Sequence, residues 1–403
     1  MKYDFTSIID RVGFDALAVE NLSEGDDIGF APKKPKEGFD FIPMWVADMN
    51  FPTCPAVTDA LKKRIEHPLF GYYRPKDEFY ESIIGWQTEV NGHEGLKREH
   101  IGYENGVHGF ISSAVSVLSS PGEHILVHRP TYIGFTFDID YKGRFPVYSE
   151  LKKDENGVYR MDFEDMENKL RENDVHLAIF CSPHNPAGRV WERWELEKAM
   201  ALFEKYECYV ISDEIWADVV YEGHRHIPTQ MTNAWAREHV VSAYALSKTF
   251  NLAGFSASYH IIYNKHLRDR LTHFGESTHY NEMNVLNQHA FIGAYSAEGR
   301  AWRRELLSVL DENARYITDL LNGIDGVRVS RPEGTYMLFV DLGSYCERTG
   351  RSIDEVLKKG WEYGVGWQNG VSFGGKCHIR VNFALPLSRL KEAGERIIKY
   401  VLN

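Results

Sequence analysis

Cysteine is scarce in this sequence, and the five residues, Cys54, Cys181, Cys208, Cys346 and Cys377, are odd in number and nowhere spaced as a zinc or redox pair. A disulfide scaffold is excluded, and reduced thiols in a cytosol are the expectation. Basic charge is also short: 46 Lys and Arg against 58 Asp and Glu leave a formal net charge of −12. That balance argues against a nucleic-acid or anionic-membrane partner, because phosphate backbones are bound by basic surfaces that release counterions. No run approaches the roughly 20 apolar residues that span a bilayer, and Met1-Lys2-Tyr3-Asp4 lacks the apolar core of a signal peptide. The chain reads as soluble and cytoplasmic, acting on a small molecule. Internal repeats and low-complexity tracts are missing too.

What is present is a globular mixture, 43% hydrophobic and 26% charged over 403 residues, enough for two domains of ordinary size. Short Val- and Ile-rich runs at Ile125 to His128, Leu177 to Ser182, Cys208 to Ser212 and Val240 to Ala243 read as strands buried on both faces. Between two of them, Arg193 to Tyr206 places Leu196, Ala199, Met200 and Phe203 on one helical face. Such alternation predicts an α/β fold, a large domain with a mostly parallel central sheet sandwiched by helices. Further on, a charged helix over Arg300 to Leu321 and strands near Val327 to Ser330 and Tyr336 to Asp341 predict a smaller α+β domain. The expected division is an N-terminal arm over 1–45 packing with the small domain, a large domain over 46–288, and the small domain over 289–403.

Ligands of such sheets bind at the carboxyl ends of the strands, so the loops there are where chemistry is expected. Asp213 directly follows one predicted strand, where its carboxylate either pairs with a buried cationic nitrogen or caps a helix. Lys248, in Ser247-Lys248-Thr249-Phe250-Asn251-Leu252-Ala253-Gly254, follows another among small and apolar residues that suit a desolvated, nucleophilic amine. Ser182-Pro183-His184-Asn185-Pro186-Ala187-Gly188-Arg189 follows a third, and Asn185 offers an amide donor on a proline-stiffened backbone. His224 and His226 lie in a polar turn without a clear third ligand, so no metal is expected.

Asn185-Pro186 with Gly188, then Asp213, Ser247-Lys248 and Arg380 occur in the order and approximate spacing of fold type I pyridoxal phosphate enzymes. The chain resembles the aspartate aminotransferase superfamily over essentially its full length. A finer resemblance is to the cystathionine β-lyase subgroup, which includes bacterial C–S lyases and the maltose-regulon modulator. It is carried by Trp45-Val46-Ala47-Asp48-Met49, Phe70-Gly71-Tyr72, the Asn185 and Lys248 segments, and Pro332-Glu333-Gly334-Thr335-Tyr336.

The resemblance implies pyridoxal 5'-phosphate joined covalently to Lys248, with Asp213 on its ring nitrogen and Asn185 on its phenolic oxygen. It implies that Tyr132 stacks on the ring and assists catalysis, and that Gly106-Val107-His108 and Ser247 cradle the phosphate. Tyr72 resembles a tyrosine that reaches the phosphate from a neighbouring subunit, which implies a homodimer. Arg380 resembles the arginine that grips the substrate α-carboxylate, with Ala47 and Trp216 beside the substrate. The implied activity is carbon–sulfur β-elimination from cystathionine or a related L-cysteine S-conjugate. The alternatives are an aminotransferase acting on an L-amino acid and a 2-oxo acid, or a cofactor-bearing regulatory protein.

Several positions depart from the subgroup's pattern. Trp216 stands where most members have histidine, and its bulk is expected to reshape the pocket floor. His108 replaces an aliphatic residue and is expected to add a contact to phosphate or substrate. Trp367-Gln368-Asn369-Gly370 is bulkier than usual, and Ser256 stands where many aminotransferases carry a phosphate-binding arginine.

Overall fold

The computed structural model describes residues 1–24 and 29–403. Part of the arm, residues 25–28, lies outside the described residues. Eight strands form the main sheet: β1 (Ile101–Asn105), β2 (His124–Arg129), β3 (Phe145–Lys153), β4 (Tyr159–Met161), β5 (Leu177–Cys181), β6 (Tyr209–Asp213), β7 (Val240–Ala245) and β8 (Ala257–Ile261). Their order is β1-β8-β7-β6-β5-β2-β3-β4. The block from β7 to β3 is parallel throughout, and β8 and β4 run against it. Every residue of β5 and β7 is buried. That explains why these strands are unbroken apolar runs rather than alternating ones.

A second sheet orders Met337–Asp341 (β9), His378–Asn382 (β11) and Gln368–Asn369 (β10) as β9-β11-β10, antiparallel. The helix Ala297–Asn322, capped by Ser296, buries Leu306, Leu310, Ala314, Ile317 and Leu321 as one stripe. From it Asn313 Nδ2 donates to Phe383 O at 3.0 Å and Leu385 O at 2.8 Å, tying the helix to the chain leaving β11.

The first 45 residues make contacts among themselves and to the long helix and the segment before β10. Lys2 N donates to Glu305 on the long helix, Trp45 Nε1 donates to Ala18 O at 2.9 Å, and Ile42–Pro43 pairs in parallel with Val365–Gly366. The 288/289 division falls inside a helix, Val285–Ala294.

One expected strand is not formed. Over Val327 to Ser330 only Arg328 bridges, to Asp341. Asn322 explains the loss: its amide group accepts from Val329 N at 3.0 Å and donates to Val329 O at 2.9 Å, standing in for a partner strand. Asp213 is also not beyond its strand but is the strand's last residue, paired with Cys181 and Ala243.

Candidate active site

The carboxyl ends of five co-directional strands converge on one crevice, where Gly106, Tyr132, Asn185, Asp213 and Lys248 follow or end β1, β2, β5, β6 and β7. Arg380 comes from the second sheet, on β11 between Phe339 and Gln368. Ala47 lies on the segment after the Ile42–Pro43 ladder. Asn251, in a left-handed conformation, fastens that segment to the lysine loop by accepting from Met49 N and donating to Met49 O, both at 2.9 Å.

Lys248 is half-buried, and its Nζ donates to Ala47 O at 2.9 Å. Burial lowers its pKa to about 8, with Arg380 acting in the same direction and Asp48 and Asp213 opposing. An amine so placed is partly neutral near physiological pH, as a nucleophile or base must be. The Asp213 carboxylate accepts one hydrogen bond among the described residues, from Ile215 N at 3.0 Å, an arrangement that closes a turn and caps no helix. Burial pushes its pKa up to about 6, against the pull of that amide and of His108 and Lys248. A cation set against this carboxylate would restore its charge.

Arg380 is 3% exposed, yet its guanidinium meets only neutral acceptors: Asn185 Oδ1 at 3.3 Å, Trp45 O at 3.0 Å and Gln368 Oε1 at 2.6 Å. No carboxylate pairs with it among the described residues, its Nε has no partner, and Phe373 covers it at 4.2 Å. Burial lowers its pKa to about 10. Buried charges are ordinarily paired, so this one has bonding capacity left for an anion.

Gly106, at φ +78°, opens the 13-residue helix Gly106–Leu118, whose first amides receive no side-chain cap from Asn105. A Cβ added at Gly106 would meet nothing nearer than Ser256 O at 4.0 Å. Val107 and Ser247 are both buried. Free amides at a helix start are an anion cradle. A buried carboxylate, an amine of lowered pKa, an uncapped helix start and an arginine without an acidic partner are thus assembled, and these residues fit pyridoxal phosphate.

Trp216 is 1% exposed, edge-on to Tyr336 at 4.6 Å and 5.7 Å from Lys248 Nζ, so its indole backs the lysine instead of flooring open space. Trp367 is fully buried, and the neighbour that reaches the site is Gln368, through Arg380. His108 bonds Asp138 and Tyr132. Tyr72 is fully exposed and is not brought to the crevice of its own chain. His226 Nε2 bonds Glu214 Oε2 at 2.7 Å, and no group of three candidate ligands for a metal occurs among the described residues.

The sequence model of the family described as aminotransferase class I and II matches residues 40–397. The chain belongs to that family. Cystathionine beta-lyase PatB of Bacillus subtilis (strain 168) is 33% identical over 369 residues, covering 90% of this chain and 93% of its own, which bears out the subgroup resemblance. A pyridoxal phosphate-bound C–S lyase from Staphylococcus hominis superposes with a TM-score of 0.86 at 29% identity, covering 98% of each chain. Cystalysin from Treponema denticola, which contains a pyridoxal 5'-phosphate cofactor, gives 0.87 at 27% identity, covering 99% of this chain and 98% of its own. Among the described residues no helix is long and apolar enough to cross a membrane.

Proposed function

We propose that this family member is a pyridoxal 5'-phosphate-dependent carbon–sulfur β-lyase, splitting cystathionine or a related L-cysteine S-conjugate into a thiol, pyruvate and ammonia. The observation that carries the reading is the juxtaposition of Lys248, Asp213 and Arg380, each short of the partner its burial calls for. Likeness to PatB and to the C–S lyase over nearly the whole chain directs it to sulfur chemistry.

When bound, the cofactor supplies a carbonyl for amines and a protonated ring that draws electron density from the substrate's Cα. Lys248 is the residue it joins. Asp213 would hold the proton at the ring nitrogen, Asn185 would donate to the phenolic oxygen and Tyr132 would cover the ring. The amides of Gly106, Val107 and His108 and the hydroxyl of Ser247 hold the phosphate. Arg380, aimed by Gln368 and Asn185, grips the substrate's α-carboxylate as a fork. As a neutral amine, Lys248 would remove the Cα proton. Ala47 O orients it and Trp216 keeps water from its far side.

The relative pace of thiol release and amino exchange tests the assignment. Incubation with cystathionine should yield thiol and pyruvate in equal amounts; turnover only with an added 2-oxo acid, and no thiol, would replace the lyase with an aminotransferase, the activity the family is described by.

The working form we propose is a cytoplasmic homodimer in which Tyr72 reaches the partner's phosphate. Leu69, Phe70 and Tyr72 are exposed beside a cavity of about 900 Å³, apolar surface that a second subunit would cover. The free thiols suit a reducing compartment. Mixing Tyr72→Phe with Lys248→Ala protein should restore activity above either parent, because some mixed dimers hold one intact site. No gain despite demonstrated subunit exchange would remove Tyr72 from the partner's site.

A further inference from the structure

Tyr132 and His108 belong to different elements, the loop after β2 and the first turn of the helix Gly106–Leu118, yet Nε2 of the imidazole lies 3.2 Å from the phenolic oxygen. The other ring nitrogen, Nδ1, lies 2.7 Å from Asp138 Oδ2 on the helix Ile133–Asp140. Gly134 makes the meeting possible: a Cβ there would stand 2.6 Å from Tyr132 Cε1 and collide with His108 Cε1. A carboxylate, an imidazole and a phenol thus form one chain, with half of the imidazole open to solvent and the phenol partly buried.

We propose that Asp138 and His108 are positioning residues that set the direction of the Tyr132 hydroxyl proton, presenting it to the departing β-substituent when His108 is protonated. This rests on the β-elimination reading above. An ionised carboxylate only accepts, so Asp138 keeps a hydrogen on Nδ1 in both states of the ring. In neutral His108, Nε2 is a lone pair, and the phenol spends its hydrogen on it. In protonated His108, Nε2–H donates to the phenolic oxygen, and the O–H turns to the crevice. As the Cβ–S bond breaks, the pair left at Cα by proton removal forms the Cα–Cβ double bond and the C–S pair stays on sulfur; Tyr132 passes its proton to sulfur, and Nε2–H passes its own to the phenolate oxygen. His108 ends neutral and is reprotonated from water at its exposed edge. Nothing is oxidised or reduced.

The groups facing His108 come from three other elements. Burial disfavours its charge and Lys248 adds to that, but Asp138 and Asp213 outweigh them, and the pKa stands above the ordinary 6.5. Activity that needs the protonated ring is therefore full below that pKa and declines as pH rises through it. Acid assistance matters more as the leaving thiolate becomes more basic, since a weakly basic thiolate departs unaided. The relay therefore serves S-alkyl conjugates above S-aryl ones.

The experiment is kcat/KM for pyruvate release by the holoenzyme over a series of S-aryl to S-alkyl cysteines against pH, beside NMR titration of the His108 ring. In unaltered enzyme the S-alkyl to S-aryl rate ratio should fall with rising pH in step with the His108 titration. Asp138→Asn should move that fall and the ring titration to lower pH, and its S-alkyl rate should drop at least tenfold more than its S-aryl rate. A ratio flat with pH, or equal losses across the series, would overturn the relay while leaving the lyase assignment in place. No pyruvate from any conjugate with unaltered enzyme would overturn both.

Discussion

Asp213 and Glu214 point to opposite faces at the end of β6, as consecutive residues of extended chain do, and the two faces are furnished differently. Glu214 accepts from His226 Nε2 at 2.7 Å, Tyr244 Oη at 2.6 Å, Thr229 N at 3.0 Å and Ser212 Oγ at 3.0 Å. The Asp213 carboxylate accepts from Ile215 N alone among the described residues. Burial raises the pKa of both; on Glu214 the histidines and donors overcome it and hold the value at about 2, whereas Asp213 rises to about 6. Burial is common to both acids, so the supply of donors and cationic neighbours sets them apart. Behind the sheet the polar groups complete one another, and the network runs on through Tyr244 to His93 Nε2 at 2.8 Å. In front, Asp213, Lys248 and Arg380 leave bonding capacity for a ligand.

Changes in front should therefore remove activity and spare the fold, while changes behind should do the reverse. Lys248→Ala is the largest: turnover should fall by about 10³-fold or more with the melting temperature little changed. Asp213→Asn comes next, a loss of about 10²-fold or more in kcat with cofactor still bound, because an amide cannot hold the ring nitrogen protonated. A rate like the unaltered enzyme's would make Asp213 merely structural. Arg380→Lys should raise KM by about 10–100-fold, the cost of one or two charged hydrogen bonds, since an ammonium cannot replace the planar fork. An unchanged KM would place the substrate carboxylate elsewhere.

Glu214→Gln is the change behind, with the smallest expected effect on rate: stability should drop by about 3 kcal/mol as the buried pair with His226 is broken. Glu214 has a folded pKa below its unfolded value of 4.5, so its contribution is present above pH 4.5 and is lost as pH falls from there toward about 2. Urea unfolding from pH 5 to 3 should show that acid decline in unaltered protein and a shallower one in Glu214→Gln. If Glu214→Gln cost activity more than stability, the division between the faces would fail.

Four strands of the main sheet, β2, β5, β6 and β7, were legible because strands buried on both faces are unbroken Val- and Ile-rich runs, and the crevice followed from what stands at their carboxyl ends. Val327 to Ser330 misled because apolar content does not reveal that a side chain, Asn322, will satisfy the backbone in place of a strand. Asp138 and Gln368 were missed as partners of His108 and Arg380. Gln368 stood in a stretch noticed only for its bulk, and no spacing marks Asp138, since its pairing depends on how two helices pack around Gly134. Trp216 and Trp367 drew notice as large residues, but size does not say whether an indole faces a pocket or the core. Tyr72 is exposed in the single chain, and its expected place at a partner's site came only from resemblance.

Borohydride reduction of the yellow holoenzyme, followed by peptide mapping with mass spectrometry, tests the central claim most directly. The account requires the reduced cofactor on the peptide carrying Lys248, and on no other; an adduct on a different lysine would contradict it.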